Sequence, residues 1–118
     1  RIDDWKIKIQ DTIADNASCG IFVLGEGSSS PDKFQMNELE VIVHKNGEFL
    51  SSGLGSAVQG HPAEAVAWLA NTLGEYDIPL LKGEFILSGS LVPLEPAIAG
   101  DCFSMELKGV GTCEINFI

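Results

Sequence analysis

Along this chain the apolar and polar positions change period several times, and each change predicts an element. Leu39, Val41 and Val43 alternate with Glu38 and Glu40, Ile42 being the one exception, as in a half-buried strand. The pattern runs into "HKNGE", where Asn46-Gly47 supplies the positive φ of a tight type I′ turn. A second strand is therefore expected through Phe49 and Leu50. Phe103, Met105 and Leu107 alternate in the same way, "KGVG" turns the chain, and Cys113, Ile115 and Phe117 alternate back, predicting a second hairpin. Two continuous apolar runs, residues 21–24 and 85–87, predict buried strands.

Only one stretch carries a clear helical period. Pro62 suits a first helical turn, Glu64 favours the positive end of the helix dipole, and Gly74 suits the C-terminal cap. Between them Val66, Leu69, Ala70 and Leu73 fall on one face, with Trp68 off the stripe, so a helix covered on more than one side is expected. "GEGSSSPDKF" (residues 25–34) reads as a surface loop. The sum is an α+β domain, mostly β, with about six strands, largely antiparallel, and one main helix lying over a sheet face. No internal repeat is present.

Composition narrows the partners. Of 118 residues 45% are hydrophobic, enough to bury a core in a single domain, residues 1–118. The net charge of −10 argues against nucleic acid and anionic membrane surfaces. Cys19, Cys102 and Cys113 form an odd set without CxxC spacing, which points to reduced thiols in a cytoplasmic protein. No apolar run approaches the roughly 18 to 20 residues that span a bilayer, and no signal peptide is visible. The sequence opens in "RIDDWKI", without methionine and in the manner of a fold's interior, so a fragment is expected.

Metal and nucleophile patterns are sparse. His44 and His61 have no partner at ligand spacing, and the carboxylates are scattered, so this chain alone shows no metal site. There is no GxSxG elbow, and "GLGS" and "GVGT" lack the lysine and the helix context of phosphate loops. Two loops remain. "DTIADNAS" (residues 11–18) sets Asp15, Asn16 and Ser18 beside an apolar run. "LSGS" (residues 87–90) ends another with Gly89 between Ser88 and Ser90, where a backbone can approach a ligand closely. Each also fits a turn or cap bonded to its own backbone. "NAS" matches a glycosylation acceptor, discounted for want of a secretory context.

Four stretches, "RIDDWKIKIQDTIADNASCG", "GHPAEAVAWLANTLG", "GEFILSGSLVPLEP" and "AGDCFSMELKGVG", resemble the C-terminal half of 2-keto-4-pentenoate hydratases, members of the fumarylacetoacetate hydrolase superfamily. The resemblance covers nearly the whole chain in order. It implies a mixed, largely antiparallel rolled sheet with the active site between sheet edges. It makes the chain the C-terminal portion of a larger hydratase-like catalytic domain. It also implies a divalent cation, magnesium or manganese, held by three carboxylates. Arg1 is similar to the arginine of the family's "SR", which places all three ligands, and a proton-transfer lysine, upstream of Arg1. No cofactor is then expected for this chain alone, which would be inactive by itself.

The family reaction hydrates 2-hydroxypenta-2,4-dienoate to 4-hydroxy-2-oxopentanoate in the catabolism of aromatic compounds. On that pattern Asp15, Asn16 and Ser18 are the catalytic candidates, orienting substrate or water. Ser88, Gly89 and Ser90, with His61 behind them, are the substrate-binding candidates. The implied partners are a small 2-oxo or 2-hydroxy dienoic acid, the missing N-terminal half, further copies in a homo-oligomer, and a complex with the sister decarboxylase. Three alternatives stand beside it: the sister 2-oxo-3-enedioate (4-oxalocrotonate) decarboxylase, an acylpyruvate hydrolase, and a non-catalytic β-rich assembly fragment whose bare strand edges associate.

Overall fold

Asn46 and Gly47 turn the chain with φ of 55° and 82°, the left-handed pair that a two-residue hairpin requires. The computed structural model describes residues 3–26 and 28–118; the expectation for Arg1, and Gly27 of the predicted loop, lie outside them. After a short helix α1 (Ile9–Ala14), the hairpin is β1 (Glu40–Lys45) with β2 (Glu48–Leu54), and helix α2 (Pro62–Gly74) follows. The second hairpin, β3 (Cys102–Leu107) with β4 (Gly111–Asn116), closes the chain. β1 and β3 pair with each other, so the four strands form one open antiparallel sheet in the order β2-β1-β3-β4.

The register explains the alternation in the sequence. Val43 stands opposite Ser51 on one side and Met105 on the other, and Met105 opposite Cys113. Residues opposite one another share a face, so Val41, Val43, Phe103, Met105 and Ile115 make an apolar face. Ile42, His44, Ser104, Glu106, Thr112 and Glu114 make the other, mostly polar one. A bulge between Val43 and His44 shifts the register of β2. Val41 at the middle of the sheet is buried. Phe103 and Phe117 meet edge-on at 5.7 Å between centroids, and Lys45 Nζ lies 5.2 Å above the Phe103 ring.

Several expectations are corrected. The runs 21–24 and 85–87 join no ladder, and they are not buried: Ile21 is 79% exposed and Phe85 64%. Apolar runs of this kind need a partner backbone on each side to be buried as strands; here Phe22 and Phe85 meet with tilted rings, 5.7 Å between centroids. Four strands therefore form among the described residues instead of six. Helix α2 has the predicted bounds, but it does not cover the sheet and buries no residue. Trp68, expected to be covered, is 60% exposed. The first part of "DTIADNAS" is the end of α1, which at six residues carries too few positions to show a period.

These exposures add up. The accessible surface is 9092 Å², whereas a folded chain of this length shows about 6,200 Å². The radius of gyration is 15.7 Å, against about 13.5 Å for a compact domain. Much of the apolar surface is left without a covering layer.

Candidate functional site

The "DNAS" loop grows directly from the end of α1. At the helix start the Lys8 N–H donates to the Asp11 carboxylate at 2.9 Å, a cap that satisfies one of the free amides there. At its end the Asp15 N–H donates to the Asp11 carbonyl at 3.0 Å. Asn16, Ala17 and Ser18 then follow with φ of 50°, 56° and 58°. Three successive non-glycine residues in the left-handed region cost about 1 kcal/mol or more each, and such strain gathers where a loop is shaped for function. The turn is closed by Ser18 N–H to the Asp15 carbonyl (2.9 Å) and Cys19 N–H to the Asn16 carbonyl (3.2 Å). Asp15 and Ser18 are half-buried and Asn16 is exposed. A carboxylate, an amide and a hydroxyl within four residues can hold a water or a polar substrate atom and accept a proton from it.

The second loop is built differently. Gly89 has φ of 130°, a conformation that a side chain would strain. The Ser90 hydroxyl donates to the Val92 carbonyl at 2.5 Å and accepts from the Val92 N–H at 3.3 Å, so it is turned back on its own backbone. Ser88 is half-buried, and Gly89 faces the side chain of Val58. His61 belongs to neither loop. It caps α2, its Nδ1 accepting the Ala63 N–H at 3.1 Å.

None of these candidates lines any of three cavities found among the described residues. One, of about 310 Å³, lies on the apolar sheet face beneath residues 92–97 and is bordered by Val43, Leu50, Ser51 and Phe103. The Ser51 hydroxyl is buried there without a hydrogen-bond partner. Another, of about 590 Å³, lies between residues 23–26 and the polar side chains of β1, β3 and β4.

Among the described residues the most strongly shifted carboxyl belongs to an arrangement that pattern and spacing do not reveal. Asp101, 6% exposed, accepts from Asn46 Nδ2, Lys45 Nζ and the Ile98 N–H, each at 2.9 Å. The Lys45 and Asn46 hydrogen bonds hold its carboxyl down at about 2, from an ordinary 3.8. This cluster is a structural tie between the first hairpin turn and β3. Across the sheet, Lys108 Nζ donates to Glu40 at 2.6 Å, and that bond raises the lysine's pKa.

A cation finds no cage here. Among the described residues no three His, Cys, Asp or Glu side chains converge, so the residues present do not by themselves fit a bound metal. Among the same residues no helix is long and apolar enough to cross a membrane.

Comparison with known proteins places these loops in context. The family model for the fumarylacetoacetate (FAA) hydrolase C-terminal domain matches residues 2–118. The chain is 62% identical over 117 residues to the 2-hydroxyhexa-2,4-dienoate hydratase of Comamonas testosteroni, and 43% identical to the 2-keto-4-pentenoate hydratase of Paraburkholderia xenovorans. Each match takes in 99% of this chain and 44% of the relative, so the chain spans less than half the length of these proteins. Among solved structures, the 4-oxalocrotonate decarboxylase from Pseudomonas putida G7, complexed with magnesium and adipate, superposes with a TM-score of 0.93 at 34% identity. That match covers 98% of this chain and 44% of the decarboxylase. The fold, the order of the motifs and these matches agree: the chain belongs to the fumarylacetoacetate hydrolase family, as its C-terminal domain.

Proposed function

We propose that the protein carrying this chain is a hydratase that adds water to 2-hydroxypenta-2,4-dienoate, or a close homologue, in the breakdown of aromatic compounds. The observation that carries the proposal is the 62% identity, across 99% of the chain, to a hydratase of a 2-hydroxydienoate. Such a reaction has two proton-transfer stages. The dienol loses its 2-hydroxyl proton and gains one at C5, giving a 2-oxo-3-enoate. Water then adds its oxygen at C4 while a base takes one of its protons, and a proton returns to C3, giving 4-hydroxy-2-oxopentanoate.

In that scheme the Asp15 carboxylate accepts the proton from the attacking water, with Asn16 and Ser18 holding its oxygen. The Ser88 hydroxyl and the backbone around Gly89 receive the substrate's carboxylate or 2-oxygen, and the Ser90 hydroxyl joins them by rotating away from the Val92 carbonyl. His61 takes a lesser part, since its Nδ1 is committed to the α2 cap. A divalent cation, magnesium or manganese, belongs to the same proposal, with ligands upstream of Arg1; no step assigned to this chain's residues runs through it. The isolated chain is accordingly expected to be inactive.

The resemblance in fold to the oxalocrotonate decarboxylase, at a TM-score of 0.93, favours a second reading, loss of carbon dioxide from a 2-oxo-3-enedioate on the same scaffold. Incubating the full-length protein with magnesium and each substrate separates the two. Loss of the dienoate's ultraviolet absorbance with formation of 4-hydroxy-2-oxopentanoate supports hydration. Carbon dioxide release from the diacid, without hydration of the monoacid, overturns it. Asp15→Asn should lower kcat of the hydration on the order of 100-fold.

A further inference from the structure

The 88–90 loop is held from the far end of the first hairpin. Gly53, near the end of β2, lies so close to the Leu91 backbone that a Cβ there would overlap the Leu91 carbonyl oxygen. Any other residue at 53 would push that carbonyl, and with it Ser90, away from the sheet. Beyond the strand, Val58 is buried, and its Cγ1 and Cγ2 lie 3.4 and 3.5 Å from where a Gly89 Cβ would stand. The segment bearing Val58 is itself fixed: the Gly55 N–H donates to the Leu39 carbonyl (2.8 Å), and the Val58 N–H to the Gly55 carbonyl (3.1 Å). Leu91 thus rests on Gly53, and Gly89, on the other side of Ser90, faces Val58 farther along the same hydrogen-bonded segment.

We infer that Gly53 and Val58 are positioning residues for substrate, acting through the 88–90 loop and setting where the Ser88 and Ser90 hydroxyls stand. The inference rests on the proposal that this loop binds the substrate. The approach of Gly53 to Leu91 is close-packed, backbone on backbone, so a side chain at 53 moves the loop instead of being absorbed; the Val58 methyls stand an ordinary van der Waals distance from a β-carbon placed at Gly89 and so limit how near the sheet that glycine can settle.

Steady-state kinetics on 2-hydroxypenta-2,4-dienoate, with thermal unfolding, test it in the full-length protein. Gly53→Ala should lower kcat/KM on the order of 10- to 100-fold, mostly through KM, as expected for a misplacement of about 1 Å. Val58→Ala should shift KM in the same direction. Asn46→Ala, a destabilising change at the opposite end of the same hairpin, should lower the melting temperature and leave KM unchanged. Folded Gly53→Ala and Val58→Ala proteins with unchanged KM overturn the inference, as does an equal KM rise in Asn46→Ala. If Gly53→Ala does not fold, Val58→Ala decides. A double Ser88→Ala, Ser90→Ala variant keeps the two ideas apart. Unchanged KM there overturns the loop's role in binding; raised KM there, with unchanged KM at 53 and 58, overturns only the positioning.

Discussion

Asn46 Nδ2 donates to the Asp101 carboxylate at 2.9 Å across fifty-five residues of chain. The same asparagine accepts the Cys102 N–H on its Oδ1 at 2.8 Å and donates its own N–H to the Cys102 carbonyl, also at 2.8 Å. One side chain in a hairpin turn therefore aligns the first residue of β3 and fixes the β1–β3 register. Asp101 extends the tie to the chain's end, its carbonyl accepting the Phe117 N–H at 2.8 Å.

Asn46→Ala removes two side-chain hydrogen bonds and puts an ordinary β-carbon into a left-handed turn. At about 1 kcal/mol for each bond and about 1 for the conformation, the change should cost about 2–3 kcal/mol. Denaturant unfolding of the full-length protein measures it. Asn46→Gly, which keeps the turn and loses only the bonds, should cost less.

The pH dependence follows from the depressed carboxyl of Asp101. Its folded-state pKa of about 2 lies below the ordinary 3.8, so the unfolded chain binds the proton first on acidification. The stability it contributes is complete above about pH 4 and is lost as pH falls through about 2. Melting temperature should drop across that window, and Asp101→Asn should flatten the drop while lowering stability at neutral pH. An unchanged slope in the variant would show that other carboxylates govern it.

What the sequence makes legible here is local. Both hairpins can be read because Asn46-Gly47 and "KGVG" sit between alternating runs, and α2 because Pro62 and Gly74 bracket a helical period. The apolar runs 21–24 and 85–87 mark segments suited to burial, but whether a ladder forms depends on backbone from elsewhere, which no local pattern carries. For the site, the two polar loops were visible as clusters of hydroxyl, amide and carboxylate groups. The strain at Asn16, Ala17 and Ser18 was not, since none of these is a glycine. Nor were the approach of Gly53 to Leu91 and the link from Asn46 to Asp101, each of which joins positions far apart in the chain.

The uncovered surface makes a prediction about the isolated chain. Phe22 and Phe85 meet with tilted rings, both partly in solvent, on segments that have no ladder. Apolar segments of this kind recruit other backbones. Sedimentation velocity on the isolated chain should show species larger than one copy, and Phe22→Ser with Phe85→Ser should shift the distribution toward the monomer. A monodisperse monomer before substitution would mean that this surface is not adhesive.

The last prediction concerns the strained loop. Ala17 sits at φ 56° and ψ 29°, where its β-carbon crowds the backbone. Glycine would relieve about 1–2 kcal/mol of that strain and give back part of it through the greater freedom of the unfolded chain. Ala17→Gly should therefore stabilise the full-length protein by up to about 1 kcal/mol. If the strained turn holds Asp15 and Ser18 in a catalytic geometry, the same substitution should lower kcat, because a glycine hinge lets both side chains wander. Unfolding and turnover measured on one variant thus separate two roles. Greater stability with lost activity marks a turn strained for its chemistry, whereas greater stability with full activity marks one held only by its neighbours.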